Sequence, residues 1–263
     1  SFLKLSPDIS LITSIDRDHV DTYVSEEDML QSYYHFYINT VDRLFISHDV
    51  ASKFYTHCKK FGNKSGTIIV LDEVEYGNHY ETSFTHMCEH NVKNAIMASV
   101  IAEFIGLTKT QITKGFESYI GVKRRFEYHV DLEHLILIDD YAHHPEELKV
   151  LINSIRKLYL NHELFLIFQP HLFSRTQDLE NEFCDVLSSV DKLALLDIYP
   201  AREKPIPGVN SKNMLAKVNL DNKWYVNANN LIGVLQTEKP NLIVTAGAGD
   251  VYKLVPMIKS ILE

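Results

Sequence analysis

The sequence predicts an α/β protein with a mostly parallel sheet, and two observations carry the prediction. Short apolar runs of strand length alternate with segments whose apolar residues recur at helical spacing. Leu135-Ile136-Leu137-Ile138, for example, is followed by Leu148, Leu151, Ile152 and Ile155, and such alternation marks βα repetition. The strands also end in acids, histidines and glycines. In open α/β sheets ligands sit beyond the carboxyl ends of strands, so polar residues gathered there are candidate site residues.

Taken in order, residues 9–15 read as a buried strand running into Asp16-Arg17-Asp18-His19-Val20-Asp21. His19 with Asp18 or Asp21 offers imidazole and carboxylate to a divalent ion. The same residues also suit a capped helix start with exposed acids. Residues 26–45 carry one aromatic-rich helical pattern through Met29, Tyr33, Phe36, Tyr37, Val41 and Leu44, read as core. Phe61-Gly62-Asn63-Lys64-Ser65-Gly66 lacks P-loop spacing and reads as a turn before a strand at 67–71. Residues 72–88 show no usable pattern.

From about Asn91 a small-residue helix follows, with Glu89 and His90 just before it. Asn91 and Asn94 are three apart and share a face. Their amides both donate and accept, as an adenine edge requires, although an N-cap and an exposed Asn explain them equally. A second helix, capped by Thr110 with Ile112, Phe116 and Tyr119 inward, stops at Gly121. Gly121-Val122-Lys123-Arg124-Arg125-Phe126-Glu127 is a basic turn that suits a phosphate, a base or plain solvent. Residues 128–134 read as the passage to a second unit, which divides the chain into 1–130 and 131–263.

The second unit is organised around Asp139-Asp140-Tyr141-Ala142-His143-His144-Pro145. There a buried strand ends, and a helix begins with Pro145 in its first turn and Glu146 and Glu147 at its positive end. Strands at 163–169, 192–198, 224–226 and 241–246 lead to helices at 176–189, 211–217, 228–236 and 251–262. Their connecting loops add His171 and Arg175, the Pro-containing charged run Asp197–Gly208, and Gly247-Ala248-Gly249-Asp250. The glycine loop can present backbone N–H groups to an anion at a helix start. Four strand ends aim polar groups at one edge.

The chain of 263 residues is 45% hydrophobic and 23% charged, ordinary values for a globular protein. A net charge of −9 argues against a general nucleic-acid or anionic-membrane surface, though not against a local phosphate pocket. The three cysteines, Cys58, Cys88 and Cys184, make no disulfide framework and suit a reducing compartment. No apolar run approaches the ~18 residues of a membrane span, and the amino end does not read as a signal peptide. With no H-E-x-x-H or paired-Cys motif, a zinc hydrolase is disfavoured despite 13 histidines.

Asp18-His19-Val20-Asp21-Thr22-Tyr23, His90-Asn91-Val92-Lys93-Asn94-Ala95, Arg124-Arg125-Phe126-Glu127, Asp139 to Pro145, Phe168-Gln169-Pro170-His171, Ser174-Arg175-Thr176, Asp197-Ile198-Tyr199-Pro200-Ala201 and Gly247-Ala248-Gly249-Asp250 occur in one order along nearly the whole chain. In that order they resemble the Mur ligase family, ATP-dependent amide-forming enzymes of peptidoglycan synthesis, and most closely its alanine-adding branch. The resemblance implies part of a central ATPase domain followed by a Rossmann-like carboxyl-terminal domain. It also implies ATP and Mg²⁺ as cofactors, UDP-N-acetylmuramate and L-alanine as substrates, an acyl-phosphate intermediate and a bacterial cytoplasmic setting. By position, His19 resembles the family's Mg²⁺-site histidine. Asn94 resembles its adenine-contacting Asn, with His90 and Asn91 beside it. Arg125 resembles the arginine that meets ATP from the domain junction, and Asp140 the ribose-binding Asp. His143, His144, His171 and Arg175 resemble residues of the catalytic and substrate cleft, Arg175 as a partner for a carboxylate.

The sequence departs from the family pattern in lacking the P-loop, the upstream Mg²⁺-binding Glu and a UDP-binding domain. Leu172 also stands where relatives have Arg. These departures imply a truncated form without ligase activity by itself. No lysine lies between Lys4 and Lys53, so the modified lysine of other branches has no counterpart. The alternatives are a sister ligase that attaches a peptide to the same sugar nucleotide, and a non-catalytic nucleotide-binding module.

Overall fold

The computed structural model describes residues 2–15, 23, 25–61, 67–72 and 89–262. They fall into two compact units, Ser1–Tyr119 and Ile120–Glu263. In the first, β1 (Ile9–Ile12), β2 (Arg43–Ser47) and β3 (Thr67–Leu71) pair in parallel in that order. Helices α1 (Glu26–Asn39) and α2 (His48–Phe61) complete the crossovers that parallel pairing needs. Ser25 starts α1, its Oγ accepting from the Asp28 N–H at 3.1 Å, with three acids in the first turn to meet the helix dipole.

The helical pattern read over 26–45 breaks at Asn39. Thr40 is extended, and its N–H donates to the carbonyls of Phe36 and Tyr37. Leu44 is then buried on β2, while Val41 is 63% exposed. Helical spacing continued by coincidence into a strand whose ladder with β1 and β3 satisfies its backbone. Helix α2 has no counterpart in the sequence reading. It buries Val50, Phe54 and Cys58 along one face, and with α1 covers Ile12, Leu44 and Ile46. Helix α3 (Glu89–Phe104) places Met97 and Val100 against Phe45 and Leu71, on the other side of the sheet. Helix α4 (Lys109–Glu117) is capped by Thr108, not by Thr110. The Gln111 N–H donates to Thr108 Oγ1 at 3.4 Å, and the Thr108 N–H donates to Gln111 Oε1 at 2.9 Å. This reciprocal box needs Gln three residues after the cap, and only Thr108 has it.

In the second unit the strand order is β4-β5-β9-β6-β7-β8. The strands are β4 (Glu127–Leu132), β5 (Leu135–Asp140), β6 (Leu164–Phe168), β7 (Lys192–Leu195), β8 (Lys223–Tyr225) and β9 (Leu242–Ala246). All pairings are parallel except β4 with β5. Residues 128–134, read as a passage between units, are mostly β4 and its hairpin turn. The division therefore falls at 119/120, before this hairpin.

The helices are α5 (Pro145–Leu158), α6 (Phe173–Asp178), α7 (Glu180–Leu187), α8 (Ser211–Lys217), α9 (Ala228–Glu238) and α10 (Val255–Leu262). The single helix read over 176–189 is two, starting at Phe173 and interrupted at Leu179. From β5 to β8 the chain steps across the sheet in one direction, then returns to insert β9 between β5 and β6. Right-handed crossovers place outgoing and returning helices on opposite faces. Accordingly Leu137, Phe165, Ile167, Ala194 and Ile243 pack with Leu231 and Leu235 of α9 and Val255 and Ile258 of α10. Phe168, of opposite pleat to Phe165 and Ile167, meets Phe183 of α7. With both faces covered, β5, β6 and β9 are buried along their whole lengths. The helices after β5 and β9 leave on opposite faces, which makes the carboxyl ends of these strands a topological switch point, the usual ligand position in such sheets.

Candidate functional site at the strand carboxyl ends

Strand β5 ends in two buried acids with different surroundings. Asp140 is 5% exposed, and each of its carboxylate oxygens accepts a backbone N–H, from Phe126 at 2.7 Å and from Ala142 at 2.8 Å. Burial pushes its carboxyl above the usual range, against the pull of those N–H groups. Asp139 is 1% exposed. It accepts from the Thr245 hydroxyl at 2.5 Å and from Arg124 Nε at 3.2 Å. Burial also raises Asp139, with Thr245 and Arg124 opposing.

Arg124 joins three chain segments. Besides Asp139, its guanidinium donates to the carbonyls of Gly249, at 3.1 Å, and Gly247. It also lies over the rings of Tyr252, at 4.6 Å, and Tyr141, at 5.0 Å. Its own N–H donates to Glu127 at 2.7 Å, which holds the turn at φ +59°. The fork of an arginine is what such a junction needs, since it can serve a carboxylate and two carbonyls at once. Glu127, His129 and Asp139 bring ligand atoms within 4.8 Å of one another. The Arg124 cation on Asp139 makes that group a poor metal site.

The glycine loop after β9, read as an anion cradle, is partly engaged by the protein itself. The Gly247 N–H donates to the Asp140 carbonyl at 3.2 Å, and the Val251 N–H to Gln169 Oε1 at 3.0 Å. One of the expected donors, the Gly247 N–H, and the Val251 N–H just beyond the loop thus serve the protein. Gly247, at φ +143°, has no room for a Cβ, which would stand 2.6 Å from the Gln169 carbonyl. At Gly249 a Cβ would collide with the Gln169 side chain and the Tyr199 ring. Gln169 also donates to Asp250 at 2.8 Å. The loop is packed shut against the ends of β6 and β7.

The histidines meet beyond β5 and β6. His143 Nδ1 lies 2.9 Å from the Tyr141 carbonyl and 3.1 Å from Glu147. Both are acceptors, so this nitrogen carries the proton. His144 is the N-cap of α5, its Nδ1 accepting from the Glu146 N–H at 3.3 Å. The His171 ring stacks on Tyr199, at 5.7 Å and 12°, and meets the His143 ring edge-on at 5.9 Å. Burial lowers the pKa of His171, helped by His143 and Arg175 and opposed by Glu203. Near neutral pH it is therefore an uncharged imidazole, and Arg175 supplies the positive charge. Among the described residues, His171 Nδ1 and one Arg175 terminal nitrogen are buried without a hydrogen-bond partner. A buried unsatisfied donor is costly, and an anionic oxygen arriving there satisfies it.

Arg125 is exposed, its guanidinium 5.4 Å from the Tyr141 ring. Asn91 and Asn94 sit in the first half of α3, Asn94 exposed, and the neighbouring Lys93 pairs with Asp49 at 3.2 Å. His90 lies in the same helix, but its side chain falls outside the described residues. So does all of His19, with Asp18 and Asp21. By sequence, Arg124, Gln169, Tyr199 and Glu203 are only members of motifs and loops. The structure makes them the residues that hold those loops together.

The family model described as "Mur ligase, glutamate ligase domain" matches residues 124–249. A UDP-N-acetylmuramate–L-alanine ligase of Christiangramia forsetii is 37% identical over 273 residues, covering all of this chain and 60% of that protein. The same-named protein of Porphyromonas gingivalis is 36% identical over 284 residues, covering all of this chain and 62% of that protein. The chain thus spans about 60% of the length of the curated relatives it matches. Among solved structures, the UDP-N-acetylmuramate-alanine ligase of Thermotoga maritima aligns over 98% of this chain and 60% of its own, with a TM-score of 0.70 and 18% identity. A murein peptide ligase of Psychrobacter arcticus aligns with a TM-score of 0.57 and 15% identity over 99% of this chain and 58% of its own. These two likenesses show the shared α/β fold.

Proposed function

We propose that this chain is part of a Mur ligase, an enzyme joining L-alanine to UDP-N-acetylmuramate with ATP, a reading supported by the ligase domain matched over residues 124–249 and by relatives of that name. One observation carries the choice of branch. Relatives bearing that name match the chain over its whole length at 34–38% identity. The setting that goes with this reading is the bacterial cytoplasm. Among the described residues, no helix is long and apolar enough to cross a membrane.

The chemistry follows from the poor reactivity of a carboxylate. Transfer of the γ-phosphoryl group of ATP to the muramic carboxylate gives an acyl phosphate. The amine of alanine then attacks the carbonyl carbon and expels phosphate. In this reading Asn91 and Asn94, with His90, read the adenine edge, since an amide both accepts and donates. Asp140 takes a ribose hydroxyl with the lone pairs its two N–H partners leave. Arg125, exposed and always charged, meets phosphate. His171 and Arg175 receive a carboxylate at the end of β6, and His143 orients beside them at the end of β5. Mg²⁺, for which His19 is the proposed ligand, neutralises phosphate charge when bound.

The test is a steady-state assay of ADP release by the protein of the whole open reading frame, with ATP, Mg²⁺ and UDP-N-acetylmuramate. L-Alanine is compared with a murein tripeptide as acceptor. A kcat/KM for L-alanine at least about tenfold above that for the tripeptide is expected. The reverse preference would identify the peptide-attaching sister ligase. No ATP turnover with either acceptor would leave a non-catalytic nucleotide-binding module.

A further inference from the structure

Helix α6, which carries Ser174 and Arg175 and follows His171, begins without a cap of its own. Its N-cap residue is Leu172, whose side chain makes no capping bond and whose backbone stands at φ +72°. Left-handed backbone at a non-glycine residue is sparsely populated and persists only where its surroundings impose it. Here they do so from both sides. The Leu172 N–H donates to the Tyr199 carbonyl at 2.9 Å, and the Tyr199 N–H to the Pro170 carbonyl at 2.8 Å, tying the β6 and β7 loops together as a short bridge. Glu203, four residues beyond Tyr199, then reaches back to the start of the helix. Its Oε2 accepts the Ser174 N–H at 3.0 Å, and its Oε1 accepts the Ser174 hydroxyl at 2.5 Å. Burial alone would raise its pKa, but these bonds and one from the Phe173 N–H hold its carboxyl below the usual range.

We infer that Glu203 is the positioning residue of the acceptor face: by capping α6 from a different strand-end loop, it fixes His171 and Arg175 in the attitude that meets a carboxylate. The inference rests on the ligase reading for its substrate, but its geometry stands apart from it. A helix end normally takes its cap from the preceding residue. Leu172 cannot supply one, so the attitude of the next turn is set by a residue 29 positions on. Glu203 is also the acidic group facing His171, against His143 and Arg175. It therefore offsets the cation beside the imidazole as well as holding the backbone.

The discriminating pair is Glu203→Ala and Glu203→Gln. Glutamine keeps an acceptor for the Ser174 N–H and an amide for its hydroxyl, so it preserves the clasp and removes only the charge. In the full enzyme, Glu203→Ala is expected to raise KM for the amino-acid acceptor by about tenfold while changing kcat by less than about threefold. Glu203→Gln should restore KM to within about threefold of the parent. Nuclear magnetic resonance of the present chain supplies a readout independent of turnover. The Ser174 amide should exchange slowly in the parent and in Glu203→Gln, and fast in Glu203→Ala. His171 should titrate at lower pH in both variants. A parent-like KM in Glu203→Ala, or equal impairment in both variants, overturns the inference. So does a Ser174 amide that exchanges slowly without Glu203. Absence of turnover in the unsubstituted enzyme would instead count against the ligase reading, and the amide exchange and His171 titration would then decide this inference alone.

Discussion

Arg124→Ala is expected to destabilise residues 120–263 by about 3–5 kcal/mol, the usual cost of stripping the partner from a buried ion pair. Asp139 has no solvent to turn to, with its side chain 1% exposed, and Arg124 is its cation at 3.2 Å. The same substitution orphans the carbonyls of Gly247 and Gly249 and removes a cation from two tyrosine faces. For a unit of this size such a loss corresponds to a fall in Tm of about 10 °C or more. Arg124→Lys should recover only part of it, because an ammonium cannot serve a carboxylate and two carbonyls in one plane.

The Arg124 deficit should depend on pH in a defined direction. Burial already holds the Asp139 carboxyl above its usual value, and Arg124 works against that shift. Without Arg124 the folded-state pKa rises further, while the unfolded value is unchanged. Between the two values the folded state binds the proton more readily, so stability falls as pH rises through that window. The gap between variant and parent should therefore narrow as pH falls towards the ordinary carboxylate range. Urea denaturation of both proteins across mildly acidic to neutral pH measures it. A gap that is constant or widens on acidification would contradict an ion pair as the source.

The second large effect is expected at Asp140. Asp140→Ala leaves the N–H groups of Phe126 and Ala142 buried without acceptors, at about 1–3 kcal/mol each. Asp140→Asn should be little better. Its amide oxygen can serve one of the two donors, but its NH₂ must then face the other. Denaturation midpoints of both variants check this, and a parent-like Asp140→Asn would show that one of the two bonds contributes nothing. Because the carboxylate holds the 122–126 turn to the end of β5, loss of nucleotide affinity in these variants has to be judged alongside stability. Asn94→Ala, on an exposed helical position, has no such structural burden.

The βα rhythm of residues 135–262 was legible because β5, β6 and β9 are apolar throughout and their helices keep one clean apolar face. The meeting of the candidate residues His143, His171 and Arg175 was legible for the same reason, since each polar loop begins where such a strand ends. Other features were not. The helix α1 pattern ran on to Leu44 because strand and helix positions coincide there over a few residues. Helix α2 escaped because Val50, Phe54 and Cys58 are a sparse apolar signal, and the buried face they mark also takes in a polar residue, His57. The functions of Arg124 and Glu203 depend on partners far along the chain, Gly249 for one and Ser174 for the other. Neighbouring sequence says nothing about such partners. For the same reason the glycine loop read as an anion cradle, although its Gly247 N–H is taken by Asp140 and the Val251 N–H just beyond it by Gln169.

The most direct test of the account follows the fate of an oxygen atom. UDP-N-acetylmuramate carrying ¹⁸O in its lactyl carboxylate is turned over with ATP, Mg²⁺ and L-alanine by the full-length enzyme, and the released phosphate is analysed by mass. An acyl-phosphate ligase must transfer one carboxylate oxygen to phosphate at each turnover, so labelled phosphate should form in step with the amide. Amide formation with unlabelled phosphate would contradict carboxylate activation by phosphoryl transfer, and with it the chemistry assigned to this site.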